Sequence, residues 1–419
     1  MKEKSFGIAA FYFGRIQMVF VRDLSESLAG GLSLIKVRTW LKRLLLASVP
    51  HLGRGIVSEG SDPRIVVLAN WENLGDFVLF SSVIRETRKN FPNSKLFVVA
   101  QKENSGLVEF CPYVDRWIWI RGHQPPKSGE GHGKATSYGR KMFSTYIALL
   151  RHGKGQIDLL IGPDWLLVED ASHFTENFIF KHVNEGRNSL AETARRNPEM
   201  FVDHSHQVER MLSILKMFGL KVSSNEIENW TIPENRINQV IREDRGVAKR
   251  VLVSLGAGQA RRNWPIEKVS ALVGLMISEY PEIELTILGP PSFDSQELAD
   301  VFVASKNLTN LIGKTSLGEI TELMLGADLL ISNDSGLVHI AATLKLPCVV
   351  VSAHPLDGNP WHLHSPNRYH PWQTRYIELQ PQFLLSPCVG SCQADSPHCI
   401  TAIEPNEVFE ACRTLLIQS

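Results

Sequence analysis

From Arg64 onward the chain alternates short apolar runs with amphipathic stretches, and it does so twice. In the first set, 64-RIVVLAN-70, 95-KLFVVA-100, 115-DRWIWI-120 and 157-IDLLIG-162 read as strands. A helix is expected from Phe77 to Lys89, and 203-DHSHQVERMLSILKMFGL-220 is an amphipathic helix ending at Gly219. The second set has strands at 251-VLVSLG-256, 284-ELTILG-289, 328-DLLIS-332 and 347-PCVVVS-352, with helical patterns at 265–279, 295–304, 316–326 and 336–345. Strands that are apolar throughout, rather than in alternation, belong to parallel sheets covered on both faces. The pattern therefore predicts an α/β fold of two Rossmann-like domains, joined near 223-SSNEIENWTIPENR-236 and facing one cleft. Ligands of such sheets collect at the carboxyl ends of the strands, so the strand-to-helix junctions are where function is expected. The expected division is an extension at 1–60, a first domain at 61–235 and a second at 236–419.

The 419 residues are 43% hydrophobic and 21% charged, enough to fill a sizeable core. Lys plus Arg and Asp plus Glu both number 44, which argues against wholesale nucleic-acid binding. The N-terminal apolar stretch is interrupted by Arg15 and Gln17, so neither a secretory signal nor a membrane span is expected. Within the extension, 33-SLIKVRTWLKRLLLASV-49 has Leu34, Val37, Leu41, Leu44 and Leu45 at helical spacing, beside Trp40, Lys36, Arg38, Lys42 and Arg43. Such a helix either lies on an anionic membrane surface or docks on the protein's own core. A breaker-rich loop is expected at 121–140.

Three junctions carry chemistry. In 70-NWENLGDFVLF-80, Gly75 allows a tight turn and Asp76 falls in the first turn of a helix. There an acid either complements the helix dipole or serves as a general base at the cleft mouth. In 254-SLGAGQARRNWP-265, Gly256 and Gly258 let backbone approach a ligand, Arg261 and Arg262 supply positive charge, and Pro265 suits a helix start. No GxxxxGK[ST] occurs, and the first-strand glycine pattern of a dinucleotide dehydrogenase is absent. In 326-GADLLISNDSGLVHIAATLKLPCVVV-351, the amides of Ser335, Gly336 and Leu337 stand at a helix N-terminus, beside Asp334 and one turn before His339. Taken alone, NDSG is an ordinary capping turn. Beside the Arg-bearing loop it becomes an anion site suited to a diphosphate. His339 is either a phosphate-pocket contact or a buried structural brace.

The run 315-TSLGEITELMLGADLLISNDSGLVHIAATLKLPCVV-350 closely resembles the C-domain signature of glycosyltransferase family 9, the ADP-heptose:lipopolysaccharide heptosyltransferases. Gly75-Asp76 and GAGQARRNWP are similar to that family's other motifs, with Arg262 where a Lys is common. The resemblance implies a GT-B fold and an enzyme that transfers a sugar with inversion, without a metal or cofactor. Asp76 would be the base, and Gly256, Gly258, Arg261, Arg262, Asp334, Ser335, Gly336, Leu337 and His339 would hold the donor. It implies heptose from ADP-heptose as donor and a lipopolysaccharide core or related glycan as acceptor. The expected place is the cytoplasm, on the inner-membrane surface if the basic helix binds lipid. Alternatives are another nucleotide sugar, a protein acceptor, or a non-catalytic nucleotide-binding relative. The segment 353-AHPLDGNPWHLHSPNRYHPW-372, with Trp361, His362, His364 and His370, departs from the family pattern. It is either a specificity loop or a polar surface loop.

Cys111 and Cys348 read as buried thiols. In SPCVGSCQADSPHC, the spacing of Cys388, Cys392 and Cys399 is looser than that of paired zinc knuckles. The expectation is free thiols in a reducing cytoplasm, with a metal clip that also uses His398 as the less favoured alternative.

Overall fold

The computed structural model describes residues 63–70, 72–120, 159–161, 206–217, 220–240, 249–293, 306–360, 362 and 364–417. The basic helix expected at 33–49, the loop at 121–140, the helix at 295–304 and Trp361 lie outside the described residues. All that follows falls within the compact unit Gly55–Ser419.

Two parallel sheets organise it. In the first, β1 (Ile65–Asn70) pairs with β2 (Lys95–Gln101) and with β4 (Leu159–Ile161), and β2 pairs with β3 (Arg116–Ile120). The strand order is β3-β2-β1-β4. The second comprises β5 (Arg250–Ser254), β6 (Glu284–Leu288), β7 (Leu308–Asn310), β8 (Leu329–Asn333), β9 (Cys348–Val351) and β10 (Tyr376–Leu379), in the order β10-β9-β8-β5-β6-β7. The sequence reading lacked β7 and β10. Both are edge strands, half-exposed and without the apolar run that marks the central ones.

The helices are α1 (Leu74–Leu79), α2 (Ser81–Asn90), α3 (Gln207–Met217), α4 (Glu234–Val240), α5 (Ile266–Glu279), α6 (Leu317–Leu325), α7 (Gly336–Thr343), α8 (Pro366–Tyr369) and α9 (Pro405–Ile417). The one helix expected at 77–89 is two, divided at Phe80, whose N–H still bonds to the Asp76 carbonyl. Its true start at Leu74 brings Gly75 and Asp76 into the first turn of α1.

Alternate residues of the second sheet feed two cores. Leu252, Leu330, Cys348 and Val350 join a cluster that includes Val66, Leu68, Phe77 and Val338, and so runs through both sheets. Val251, Val253, Leu329, Ile331, Val349 and Val351 face a second cluster with α5 and α9. Burial on both faces is the physical reason these strands are apolar at every position.

The joint expected at 223–236 has no helix or strand until Glu234, and side chains stitch it to both halves. Glu86 of α2 accepts the Ser223 N–H at 2.7 Å, while Arg85 donates to the carbonyls of Ser224 and Glu226. On the other side, Asn229 donates to Thr343 at 2.9 Å and Thr231 to Thr321 at 2.8 Å. Among the described residues, no helix is long and apolar enough to cross a membrane.

Candidate functional site

β1 and β8 each end on a buried asparagine, Asn70 and Asn333, and each turns directly into a helix. In α6, an ordinary helix of this fold, Ser316 and Glu319 form a complete capping box. The two junction helices have no such arrangement. Asn73 and Ser335 occupy their N-cap positions, yet neither side chain bonds to the first-turn amides. The Ser335 hydroxyl lies instead 3.1 Å from that of Ser332. The helix start at Ser335, Gly336 and Leu337 thus lacks the cap its sequence advertises, and such an end attracts anions through its amides and dipole.

The two uncapped starts meet. A Cβ on Gly75 would lie 2.9 Å from His339 Cδ2 and 3.2 Å from Gly336 Cα; one on Gly336 would lie 2.9 Å from the Gly75 nitrogen. Only glycine at both positions allows this approach. Asp76 is therefore carried on the first turn of α1 to the start of α7.

The Arg-bearing loop closes the other side. Gly256, at φ +90°, turns the chain out of β5. The Ala257 N–H then donates to Asn263 Oδ1 at 2.8 Å, folding the loop back on itself. A short 3-10 turn at Ala260–Arg262 presents both arginines. Gly258 leaves room for the Arg262 guanidinium, whose Nη2 would be 3.2 Å from a Cβ there. Arg262 Nη1 donates to Asp334 Oδ2 at 3.1 Å, in a pair that is 19% and 15% exposed. Asn333 Oδ1 accepts the Trp264 N–H at 3.0 Å. The glycine loop and the NDSG turn are thus one hydrogen-bonded unit.

His362 and His364 of the 353–372 segment are half-buried near this unit, whereas His370 packs against His206, Trp372 and Tyr376. Burial, reinforced by the Arg262 charge though opposed by Asp334, lowers His364 to about 4. Burial and the two charges of Arg261 and Arg368 lower His362 as well. His339 is 3% exposed, its ring 6.4 Å from that of Tyr369, and its Nδ1 has no hydrogen-bond partner among the described residues. Burial holds it at about 4, against the pull of Asp334, so it is neutral at pH 7. Buried Arg262 Nε is likewise unpartnered.

Three participants escaped the sequence reading. Asn333 and Asn263 lock the loop, and Glu378 of β10 lies by Ser352 and Asp334, pushed up to about 8 by burial and by the Asp334 charge. The asparagines are ordinary turn residues in sequence, whereas one acid in the strand 376-YIEL-379 was a usable signal. Cys388, Cys392, His398 and Cys399 form a separate group in the C-terminal segment. Cys348 is buried as expected and Cys111 is half-buried.

Chemically, the arrangement offers helix amides and two arginines to a polyanion, and a carboxylate from the opposite junction to a nearby proton. Residues 184–391 match glycosyltransferase family 9 (heptosyltransferase). A lipopolysaccharide heptosyltransferase 1 from Campylobacter coli is 25% identical over 189 residues, 43% of this chain and 53% of the relative. The chain thus spans about half the length of that curated relative. Among solved structures, the family 9 glycosyl transferase of Veillonella parvula DSM 2008 superposes with a TM-score of 0.57 at 18% identity, covering 85% of this chain and 98% of that one. The E. coli heptosyltransferase WaaC, solved with ADP, gives a TM-score of 0.51 at 15% identity, covering 84% and 99%. These likenesses assign the fold, two Rossmann-like domains of the GT-B type.

Proposed function

We propose, from the premise that this chain belongs to glycosyltransferase family 9 by its 184–391 segment, that it transfers a sugar with inversion from a nucleotide diphosphate to a glycan hydroxyl. The donor proposed is ADP-heptose and the acceptor a lipopolysaccharide core or a related surface glycan. The observation that carries this reading is the contact of two uncapped helix starts at Gly75 and Gly336, beside the Arg262–Asp334 pair.

The diphosphate would lie against the amides of Ser335, Gly336 and Leu337, with Arg261 and Arg262 beside it. As the bond from the anomeric carbon to the phosphate oxygen breaks, negative charge grows on the diphosphate. Preorganised donors contribute most at that point. The unpartnered Arg262 Nε and His339 Nδ1 are polar atoms that a bound donor can satisfy. Asp76 would take the proton from the acceptor hydroxyl as its oxygen attacks the opposite face of the anomeric carbon. Charge on the leaving group is thus met by protein groups, and the proposed transfer needs no metal ion at the diphosphate. Asp334 has a double role: it positions Arg262 and offers its second oxygen to sugar hydroxyls. The proposed place of the reaction is the cytoplasm, at the inner-membrane face when the acceptor is a lipid, as the family resemblance implies.

The test is direct transfer. The full chain is incubated with ADP-heptose and a heptose-deficient core glycan, and the product is weighed by mass spectrometry. A mass gain of one heptose with release of ADP supports the proposal. Release of ADP with no glycan product, or product only from another nucleotide sugar, would replace the donor or the acceptor in this account.

A further inference from the structure

The C-terminal segment holds a second site that the transferase chemistry leaves unused. The Sγ atoms of Cys388, Cys392 and Cys399 and a ring nitrogen of His398 all lie within 4.8 Å of one another. His398 Nδ1 is 3.5 Å from Cys388 Sγ and 3.5 Å from Cys399 Sγ. In a tetrahedral site with metal–sulfur bonds of about 2.3 Å and a metal–nitrogen bond of about 2.0 Å, the S–N edges come to roughly 3.5 Å. All four cysteines of this region, Cys412 included, are free thiols. Three thiols with one imidazole are an odd set for disulfide pairing and a complete set for one ion.

The surroundings fit a thiolate cluster. The Gln393 N–H points at Cys388 Sγ at 3.4 Å, as backbone amides do around metal-bound sulfur. Cys392 and Cys399 are buried, so the ion would be shielded on that side, with Cys388 nearer solvent. The segment also touches both loops of the cleft. The Ile403 carbonyl accepts Trp264 Nε1 at 3.1 Å, and Lys268 Nζ reaches the carbonyls of Thr401 and Ile403. The Gly390 carbonyl accepts the Asn359 N–H at 2.6 Å, from the histidine-bearing segment.

We propose that Cys388, Cys392, His398 and Cys399 bind one thiolate-preferring divalent cation, zinc or ferrous iron, in a tetrahedral clip that braces the glycine loop and the histidine segment from behind. Binding displaces the protons of three thiols and leaves the imidazole neutral, so the filled site carries a net charge of one negative. All four coordination positions are taken by protein, as in closed structural sites, and the ion contributes rigidity rather than chemistry.

The experiment uses the full chain, purified without oxygen and without chelators, and measures metal content per chain. The expected result is about one zinc or iron per chain, after extraction and reloading with each ion alone to decide between them. Cobalt(II) loading should give thiolate-to-metal charge transfer and the intense visible bands of a tetrahedral site. Cys388→Ser, at the more exposed ligand, should retain the fold while losing the ion or changing the cobalt spectrum. Cys111→Ser should change neither, which separates ligand loss from a general effect of cysteine substitution. Removal of the ion should lower the melting temperature of the wild type and leave that of Cys388→Ser unchanged. Sub-stoichiometric metal with no tetrahedral cobalt spectrum, or a cobalt spectrum indifferent to Cys388→Ser, would overturn the proposal.

Discussion

At the scale of single residues, the site is held by groups whose charge depends on burial, and this has consequences for pH. His339 and His364 are both held at about 4, against an ordinary histidine value of 6.5, chiefly by burial. Between those values the unfolded chain binds more protons than the folded one, so stability rises with pH through that window and falls on acidification. The melting temperature is expected to drop steadily from about pH 6.5 towards pH 4, and His339→Gln should flatten that slope. Glu378 acts in the opposite sense. Its carboxyl titrates at about 8 instead of 4.5, so the folded state binds the extra proton and loses stability as pH rises from 4.5 through 8. Glu378→Gln is expected to raise the melting temperature more at pH 8 than at pH 5; an equal shift at both would mean that the carboxyl titrates normally. Arg262 makes a different prediction. Hydrogen bonds to charged groups contribute about 1.5–3 kcal/mol, so Arg262→Ala should weaken ADP binding by about 10- to 100-fold in calorimetry, with partial recovery in Arg262→Lys.

At the scale of elements, the contrast among helix starts separates structure from function. Ser316 and Glu319 form a capping box at the start of α6, while 333–336 reads as a cap and has no side-chain cap bond. What decides is the neighbour. The start of α7 packs beside the start of α1, and Gly75 and Gly336 are the contact. Gly75→Ala should force the two helices apart, because the added methyl meets the His339 ring and the Gly336 backbone. Overpacking of this kind costs about 1–3 kcal/mol, visible as a lower melting temperature. Gly274, within α5 and with nothing within 4 Å of an added Cβ, supplies the comparison. Gly274→Ala should stabilise by about 0.5–1 kcal/mol through helix propensity. If both substitutions stabilise, the helix contact does not have the tightness described.

At the scale of the whole molecule, the parallel two-sheet plan was legible because buried central strands must be apolar on both faces. The edge strands β7 and β10 were not, since a half-exposed strand of three or four residues carries no such run. The division of the first helix at Phe80 was equally hidden, because Phe77, Val78 and Val83 are all buried and keep one apolar periodicity through the break. Of the site, the junctions could be found by their chemistry, whereas their mutual contact could not. Nothing local in the sequence says that Gly75 meets Gly336, or that His362 and His364 come near the arginines. The grouping of the cysteines was hidden for the same reason: linear spacing does not show that the fold brings Cys388, Cys392, His398 and Cys399 within 4.8 Å of one another.

The central claim is that the acid delivered by α1 to the start of α7 is the base of a sugar transfer, and it rests on Asp76. The deciding measurement is heptosyl transfer by Asp76→Ala beside wild type, with ADP affinity measured on the same preparations. General-base catalysis contributes about 10²- to 10⁴-fold, so the turnover rate should fall by that much while ADP binds almost unchanged. Turnover within a few-fold of wild type, with ADP affinity intact, would contradict the assignment.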